Sequence, residues 1–335
     1  MLQRSAGWML ASRKYWSGAL AIALLTGCAE LAAAGAGQPS PGQMGLQTPV
    51  TPVAVEINRF HDYVNIIIVA IGVFVMLLLG ILAVRFNEKS NPVPSKTTHN
   101  TALEVAWTVI PIFILIAIAI PSFKLLFYQY SFPKPDITIK AIGNAWFWEH
   151  EYPDHGNIRV TSNMITDDDL VKAKVGETEF DKAYGKLDGI ARVKAIQNAA
   201  APLWAENKMV RQLAVDNEIA VPVGKIVQLL ITSNDVIHSW TIPSFGSKMQ
   251  AVPGRVTATW FQPMQIGTYY GQCSVLCGKS HSGMPIAVRV VSDKAFADWT
   301  AAAKARDWKK ARGILQAATE GTETHKFAEL VPAAE

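Results

Sequence analysis

Four side chains with soft or borderline metal-binding character fall within the stretch GQCSVLCGKSHSGMP (Gly271 to Pro285): Cys273, Cys277, His281 and Met284. The 335-residue chain has three cysteines, and two of them lie here. Several chemistries compete for such a loop. A disulfide between Cys273 and Cys277 closes almost no chain, so it stabilises little, and it leaves the imidazole and thioether without a role. Structural zinc of the Cys2His2 kind needs a second histidine and does not ordinarily use methionine. A mononuclear blue-copper site takes two histidines, one cysteine and a weak axial methionine, so this loop has one thiolate too many for it. A binuclear copper centre, in which two ions share two bridging thiolates, uses every one of these side chains, provided that a second imidazole arrives from elsewhere.

His238, in NDVIHSWTIPSFG (Asn234 to Gly246), meets that condition directly after an apolar strand. Of the other histidines, His61 and His99 flank long apolar runs, and His150, His155 and His325 remain. Taken alone, His238 reads as a hydrogen-bonded core residue. Beside a Cys2HisMet loop short of one imidazole, the ligand reading is the stronger.

These residues need a scaffold, and the composition says where to look for it. Half of the residues are apolar and only 17% are charged, so membrane spans come first. The run VNIIIVAIGVFVMLLLGILAV (Val64 to Val84) carries no charge and is long enough to cross a bilayer core. A second run, VAWTVIPIFILIAIAIPSFKLLF (Val105 to Phe127), also spans, with Pro111 and Pro121 expected to kink it. Arg85, Lys89 and Lys96 lie between the spans, which places that short loop in the cytoplasm and both flanks outside. An export signal agrees: Arg13 and Lys14 precede ALAIALLTGC (Ala19 to Cys28). Cleavage at the lipoprotein-like box LTGC, with Cys28 lipidated, and cleavage in LAAAGAG (Leu31 to Gly37) both stay open. The net charge of +4 includes Arg4, Arg13 and Lys14 of this leader, and no basic stripe points to a nucleic-acid partner.

Beyond the spans the pattern changes to short strands, among them DITIKAI, AWFWEHEY, KIVQLLIT and IAVRVV, separated by turn residues; this predicts a β-sandwich or small barrel. The expected organisation is a signal segment over 1–36, a flexible linker over 37–63, a transmembrane helical hairpin over 64–127, and a β-domain over 136–292. A polar insert interrupts that domain at 167–210, and a tail over 293–335 is helical, then disordered. Ser292 is the expected cap of its first helix.

The chain resembles subunit II of cytochrome c oxidase, of the bacterial and mitochondrial aa3 type. DVIHSW and AVPGR (Ala251 to Arg255) resemble the family's histidine segment and following turn, and YYGQCSVLCGKSHSGMPI resembles its dicopper loop. LEVAWTVIPIFIL (Leu103 to Leu115) and AWFWEHEY resemble its second span and aromatic strand. The resemblance implies a two-helix transmembrane hairpin followed by an all-β cupredoxin-like Greek-key barrel. It implies copper ligands at His238, Cys273, Cys277, His281, Met284 and the backbone carbonyl of Val275. Trp146 is then where an electron enters from cytochrome c, and Glu104 stands at the mouth of a proton-uptake path. The two copper ions would pass electrons to haem in subunit I, which holds a further copper and reduces oxygen to water with proton pumping; subunit III would be a further partner. The location implied is a bacterial inner (plasma) membrane, with the N-terminus and copper domain on the periplasmic side.

Two departures stand out. The family has a glutamate where this chain has Val275, and that carboxylate helps to hold magnesium or manganese at the boundary with subunit I. It also has an aspartate in place of Gln250. The resemblance thus implies a persisting dicopper site beside a divalent-ion site short of two carboxylates. Asp154, Asp167, Asp168, Asp169 and Asp235 are candidates for an acidic docking patch. The competing functions are the dicopper subunit of a nitric oxide reductase and a membrane-anchored copper-delivery protein; the latter would alternate helices with strands.

Overall fold

The computed structural model describes residues 37–319. The signal segment with Cys28, and the end of the tail with His325, lie outside the described residues.

Helix α1 (Pro52–Arg85) starts well before the apolar run, inside the stretch expected to be a flexible linker. The reason is a fixed cap. The Thr51 hydroxyl accepts from the Ala54 N–H at 3.1 Å and donates to the Phe245 carbonyl at 2.8 Å, while Pro52 supplies a preset first helical residue. Val50, Thr51, Val53 and Ala54 are buried against the β-domain. Gly246, at φ +63°, permits this contact, since a Cβ there would come within 2.9 Å of the Ala54 Cα.

Helix α2 (Thr101–Tyr130) is capped by Asn100 and runs unbroken through Pro111 and Pro121. The Tyr63 hydroxyl donates to the Ala117 carbonyl across the pair. Apart from α1's capped start, both helices turn their apolar side chains outward, with Phe74 and Leu115 exposed, as lipid-facing helices must. At its outer end α2 meets the β-domain: the Trp260 indole N–H donates to the Gln129 carbonyl at 3.1 Å, and Tyr128 packs edge-on against the same ring.

The first sheet contains β1 (Ile137–Asn144), β2 (Phe147–Tyr152), β3 (Ile158–Ser162), β5 (Val227–Ser233) and β8 (Thr257–Phe261), in the order β3-β2-β1-β5-β8. The β1–β5 pairing is parallel and the others are antiparallel. A second sheet orders β4 (Ile219–Pro222), β10 (Pro285–Val291) and β9 (Gly267–Gln272) as β4-β10-β9. Strands β6 (His238–Ile242) and β7 (Ser247–Ala251) form an antiparallel pair. Alternation places the core. In β5, Val227, Leu229 and Ile231 point inward, each worth about 1.5–3 kcal/mol of burial. They share one core with Trp148 and Phe261 of the same sheet and with Trp240, Ile286 and Val288 of the other strands.

Strand β10 is buried on both sides: the tail continues as α6 (Asp293–Lys304), which packs on β3 and β4, and α7 (Trp308–Thr319), which lies against β10, while Leu213 and Val215 cover Ala287. Ser292 caps α6, whose Phe296 and Trp299 join the core. The insert is three helices, α3 (Asp167–Val175), α4 (Glu177–Tyr184) and α5 (Gly189–Glu206), around a small core of its own that includes Phe180, Ile196 and Trp204.

Candidate metal centre

Strand β9 ends at Gln272, which pairs with Pro285 at the start of β10. The loop that carries the candidate ligands is therefore the closed end of an antiparallel hairpin. A 3-10 turn over His281–Gly283 folds its second half back. Cys277 Sγ then lies 3.8 Å from Cys273 Sγ, 3.5 Å from His281 Nδ1 and 3.5 Å from Met284 Sδ. The Val275 carbonyl accepts from the Cys273 thiol at 3.3 Å. The two thiols are free, and 3.8 Å is far beyond a disulfide bond of about 2.05 Å.

The remaining imidazole comes from the first residue of β6. His238 Nδ1 stands 3.9 Å from Cys273 Sγ, and the ring is fully buried. Its other nitrogen, Nε2, is 2.8 Å from Asp235 Oδ1, which fixes Nε2 as the protonated position and leaves the Nδ1 lone pair facing the thiols. Burial pushes the Asp235 carboxyl up. Hydrogen bonds from His238 and from the backbone N–H groups of Val236 and Ala145 outweigh it, so the net shift is downward. The Cys277 thiol is pushed up to about 12, first by burial and then by the neighbouring Cys273. Both effects suit a site whose thiolates form when a cation displaces their protons.

Glycines bring the carriers of these ligands together. A Cβ at Gly143 in β1 would sit 2.7 Å from His238 Cδ2, and one at Gly271 in β9 would sit 1.7 Å from the Thr241 carbonyl oxygen of β6. β6 and the ligand loop are also laced by the Ser274 N–H to the Ser239 carbonyl and by Thr241 Oγ1 to Ser274 Oγ, 2.8 Å apart. The Trp148 indole donates to the Met284 carbonyl at 3.2 Å and meets the His238 ring edge-on. The cluster of two sulfurs, two imidazole nitrogens, a thioether and a carbonyl fits soft-metal binding.

Trp146 sits at the β1–β2 turn, half-buried, and its indole N–H donates to the Cys277 carbonyl at 3.1 Å. Lys279 Nζ lies 5.5 Å from the ring centroid. Glu104 is not part of this cluster: it lies in the first turn of α2, whose 30 residues span about 45 Å. Of the five candidate docking acids, Asp167 and Asp168 are paired with arginines, while Asp154, Asp169 and Asp235 keep exposed carboxylates. Asp167 bonds Arg211 and Trp204, Asp168 bonds Arg192, and Asp169 closes the Thr166 capping box. Asp154 accepts from the Thr138 N–H, and Asp235 is committed to His238. Aspartates at helix starts and turns find local donors, which a reading by charge alone overlooks. The reading of the sequence also missed Asp235's role beside His238 and the glycines at 143 and 271. The spacing of Asp235 three residues before His238 was the one available signal.

A β-rich domain with two buried thiols and a buried imidazole beside a second, half-buried one, carried on a pair of long apolar helices, defines a membrane-anchored copper-binding protein of the cupredoxin-like class. Residues 39–125 match the family profile described as cytochrome c oxidase subunit II, transmembrane domain. Residues 137–185 and 199–291 match that of cytochrome c oxidase subunit II, periplasmic domain, and the break between them falls inside the helical insert. The probable cytochrome c oxidase subunit 2 of Rickettsia conorii is 43% identical over 266 residues, covering 79% of this chain and 73% of that protein. The cytochrome c oxidase subunit 2 of Cereibacter sphaeroides is 40% identical over 268 residues, covering 78% and 81%. Among solved structures, the periplasmic domain of subunit II of cytochrome oxidase of Bradyrhizobium japonicum is 39% identical, with a TM-score of 0.40, over 52% of this chain and 99% of that one. The chain belongs to the cytochrome c oxidase subunit II family, and so to the subunits of a membrane-bound oxidoreductase complex.

Proposed function

We propose that this chain is the electron-accepting subunit of a cytochrome c oxidase, taking electrons from cytochrome c and delivering them to haem in subunit I, where oxygen is reduced and protons are pumped. His238, Cys273, Cys277, His281, Met284 and the Val275 carbonyl hold two copper ions, and subunits I and III are its neighbours in the membrane. The β-domain lies on the periplasmic side of a bacterial inner membrane. One observation carries the reading: His238, Cys273 and Cys277, from two separated segments, form a buried cluster with both thiols free, and His281, Met284 and the Val275 carbonyl each lie within 3.5 Å of one of those thiols.

When bound, the two ions supply one-electron redox chemistry with the charge shared between them. The protein's residues supply the rest. Asp235 holds the His238 tautomer, and Gly143 and Trp148 hold its ring. The layered β-domain keeps water from the thiols and fixes their spacing. Trp146 offers an indole at the surface and a hydrogen bond into the Cys277 peptide, a short path from a docked donor to a ligand residue. Glu104, at the cytoplasmic end of α2, stands at the mouth of a proton-uptake path. Val275 and Gln250 contribute no carboxylate, so a magnesium or manganese site at the subunit boundary is short of two of the family's donors.

The test is paramagnetic resonance of the full-length chain in detergent, loaded with copper. A signal from one unpaired electron shared over two copper nuclei supports the reading. A single-copper spectrum, or copper bound with Cys273 and Cys277 oxidised to a disulfide, overturns it.

A further inference from the structure

Beside the Trp146 indole the chain places an exposed cation without an ion-pair partner among the described residues. Gly278, at φ +121°, runs across the ring so closely that a Cβ would come within 3.1 Å of Cζ2 and 3.2 Å of Nε1. The residue that follows is carried over the ring by this path, and it is Lys279, with Nζ 5.5 Å from the centroid. Lys279 is exposed and has no ion-pair partner among the described residues. Among the neighbours at this end Asp235 also keeps an exposed carboxylate, while Asn144 and Asn234 are neutral. Asn144 and Asn234 bond each other through their amides. Asp235 spends its carboxylate on the Ala145 and Val236 N–H groups and on His238.

We propose that Lys279 is a specificity-determining residue for the electron donor. Its ammonium over the indole favours a donor whose contacting rim is neutral or acidic and disfavours one ringed by lysines. The inference rests on Trp146 as the point where electrons enter. The reaction itself is unchanged: the donor loses one electron, the oxidase gains one, and no bond is made or broken. Two like charges about 7 Å apart in water change an encounter roughly threefold at low ionic strength, and less as salt screens them. Reversing the charge doubles the effect in free energy, to roughly sevenfold.

The experiment uses the assembled oxidase containing the full chain, as wild type, Lys279→Ser and Lys279→Glu. Two donors are compared at low and high salt: a lysine-ringed cytochrome c, and the same cytochrome with its lysines succinylated. Affinity is read with the oxidised donor, without turnover, and rates with the reduced donor. For the lysine-ringed donor at low salt, Lys279→Ser should tighten binding about threefold and Lys279→Glu about sevenfold. For the succinylated donor both should weaken it by similar factors, with the copper resonance unchanged throughout. Affinities that do not move, or that move in the same direction for both donors, overturn the proposal. Trp146→Leu separates this from the reading beneath it. If Trp146→Leu slows both donors while the Lys279 variants are inert, electrons enter at Trp146 and Lys279 selects nothing. If Trp146→Leu slows neither donor while the Lys279 variants shift them oppositely, the charge selects donors and electrons enter elsewhere.

Discussion

Gly143→Ala tests whether the imidazole at 238 is held by sterics as well as by its ligand chemistry. A methyl at 143 would come 2.7 Å from His238 Cδ2, 2.9 Å from Cγ and 3.1 Å from Cβ. The shortest of these has to open to at least 3.4 Å, a displacement of about 0.7 Å. The ring has little freedom to yield. It is fully buried, Trp148 meets its edge at a centroid distance of 5.9 Å, and Asp235 holds Nε2 at 2.8 Å. The β1 backbone is equally constrained, because the Gly143 carbonyl accepts from the Ser233 hydroxyl at the end of β5 and from the Asn234 N–H at the start of the turn leading to His238. Overpacking of this kind costs about 1–3 kcal/mol. If half falls on the ligand geometry, copper affinity drops about fivefold, within a range of about two- to twelvefold, with little change at the two thiols. The assay is chelator competition on the full-length chain, read together with the copper resonance. Weaker binding and an altered imidazole coupling are expected, with thiolate absorption retained. Wild-type affinity and an identical spectrum would refute the argument. Gly271→Ala is the contrasting case: its Cβ meets a backbone carbonyl at 1.7 Å, so the expected result is loss of the folded domain rather than a tuned site.

Three further outcomes follow from particular contacts. Asp235→Asn keeps an oxygen acceptor for His238 Nε2 but removes the charge, and should lower copper affinity about 10–100-fold by the same chelator competition; an unchanged affinity would show that the carboxylate does not orient the ring. Thr51→Ala removes the cap of α1 and its bond to the Phe245 carbonyl, and should destabilise the join between helix and β-domain by about 1–2 kcal/mol in detergent unfolding. His150 is fully buried, accepts from the Trp240 indole at 3.2 Å, and burial pulls its pKa down to about 3. The folded state therefore keeps it neutral while the unfolded chain protonates it below about pH 6.5. Its contribution to stability is whole above that pH and is lost as the pH falls toward 3, an upper limit on the order of 3 kcal/mol at pH 4. His150→Gln keeps an acceptor for the indole and should flatten the stability profile between pH 6.5 and 4 by close to one proton; an unaltered slope would mean that His150 does not titrate there.

What the sequence disclosed follows from how local each feature is. Cys273, Cys277, His281 and Met284 belong to one hairpin end, so their spacing alone announces a shared site. His238 is reached across two sheets, and it was legible only because the loop lacked an imidazole and few histidines remained. The start of α1 was misplaced because Glu56, Arg59 and Asp62 end the apolar pattern, although the helix continues past the bilayer to a cap seated in the β-domain. Hydropathy reports the lipid contact of a helix, not its length. Only part of β10 reads as alternating, since α7 together with Leu213 and Val215 buries its outer face and Arg289 is admitted there by pairing with Glu218. Gly143 left no trace at all. A glycine in a strand reads as a weak point, and its use here depends on a ring that arrives from a residue 95 positions later. The ligands of such a site are therefore legible as chemistry, whereas the residues that decide their geometry are legible only once strands from distant parts of the chain have been laid beside one another.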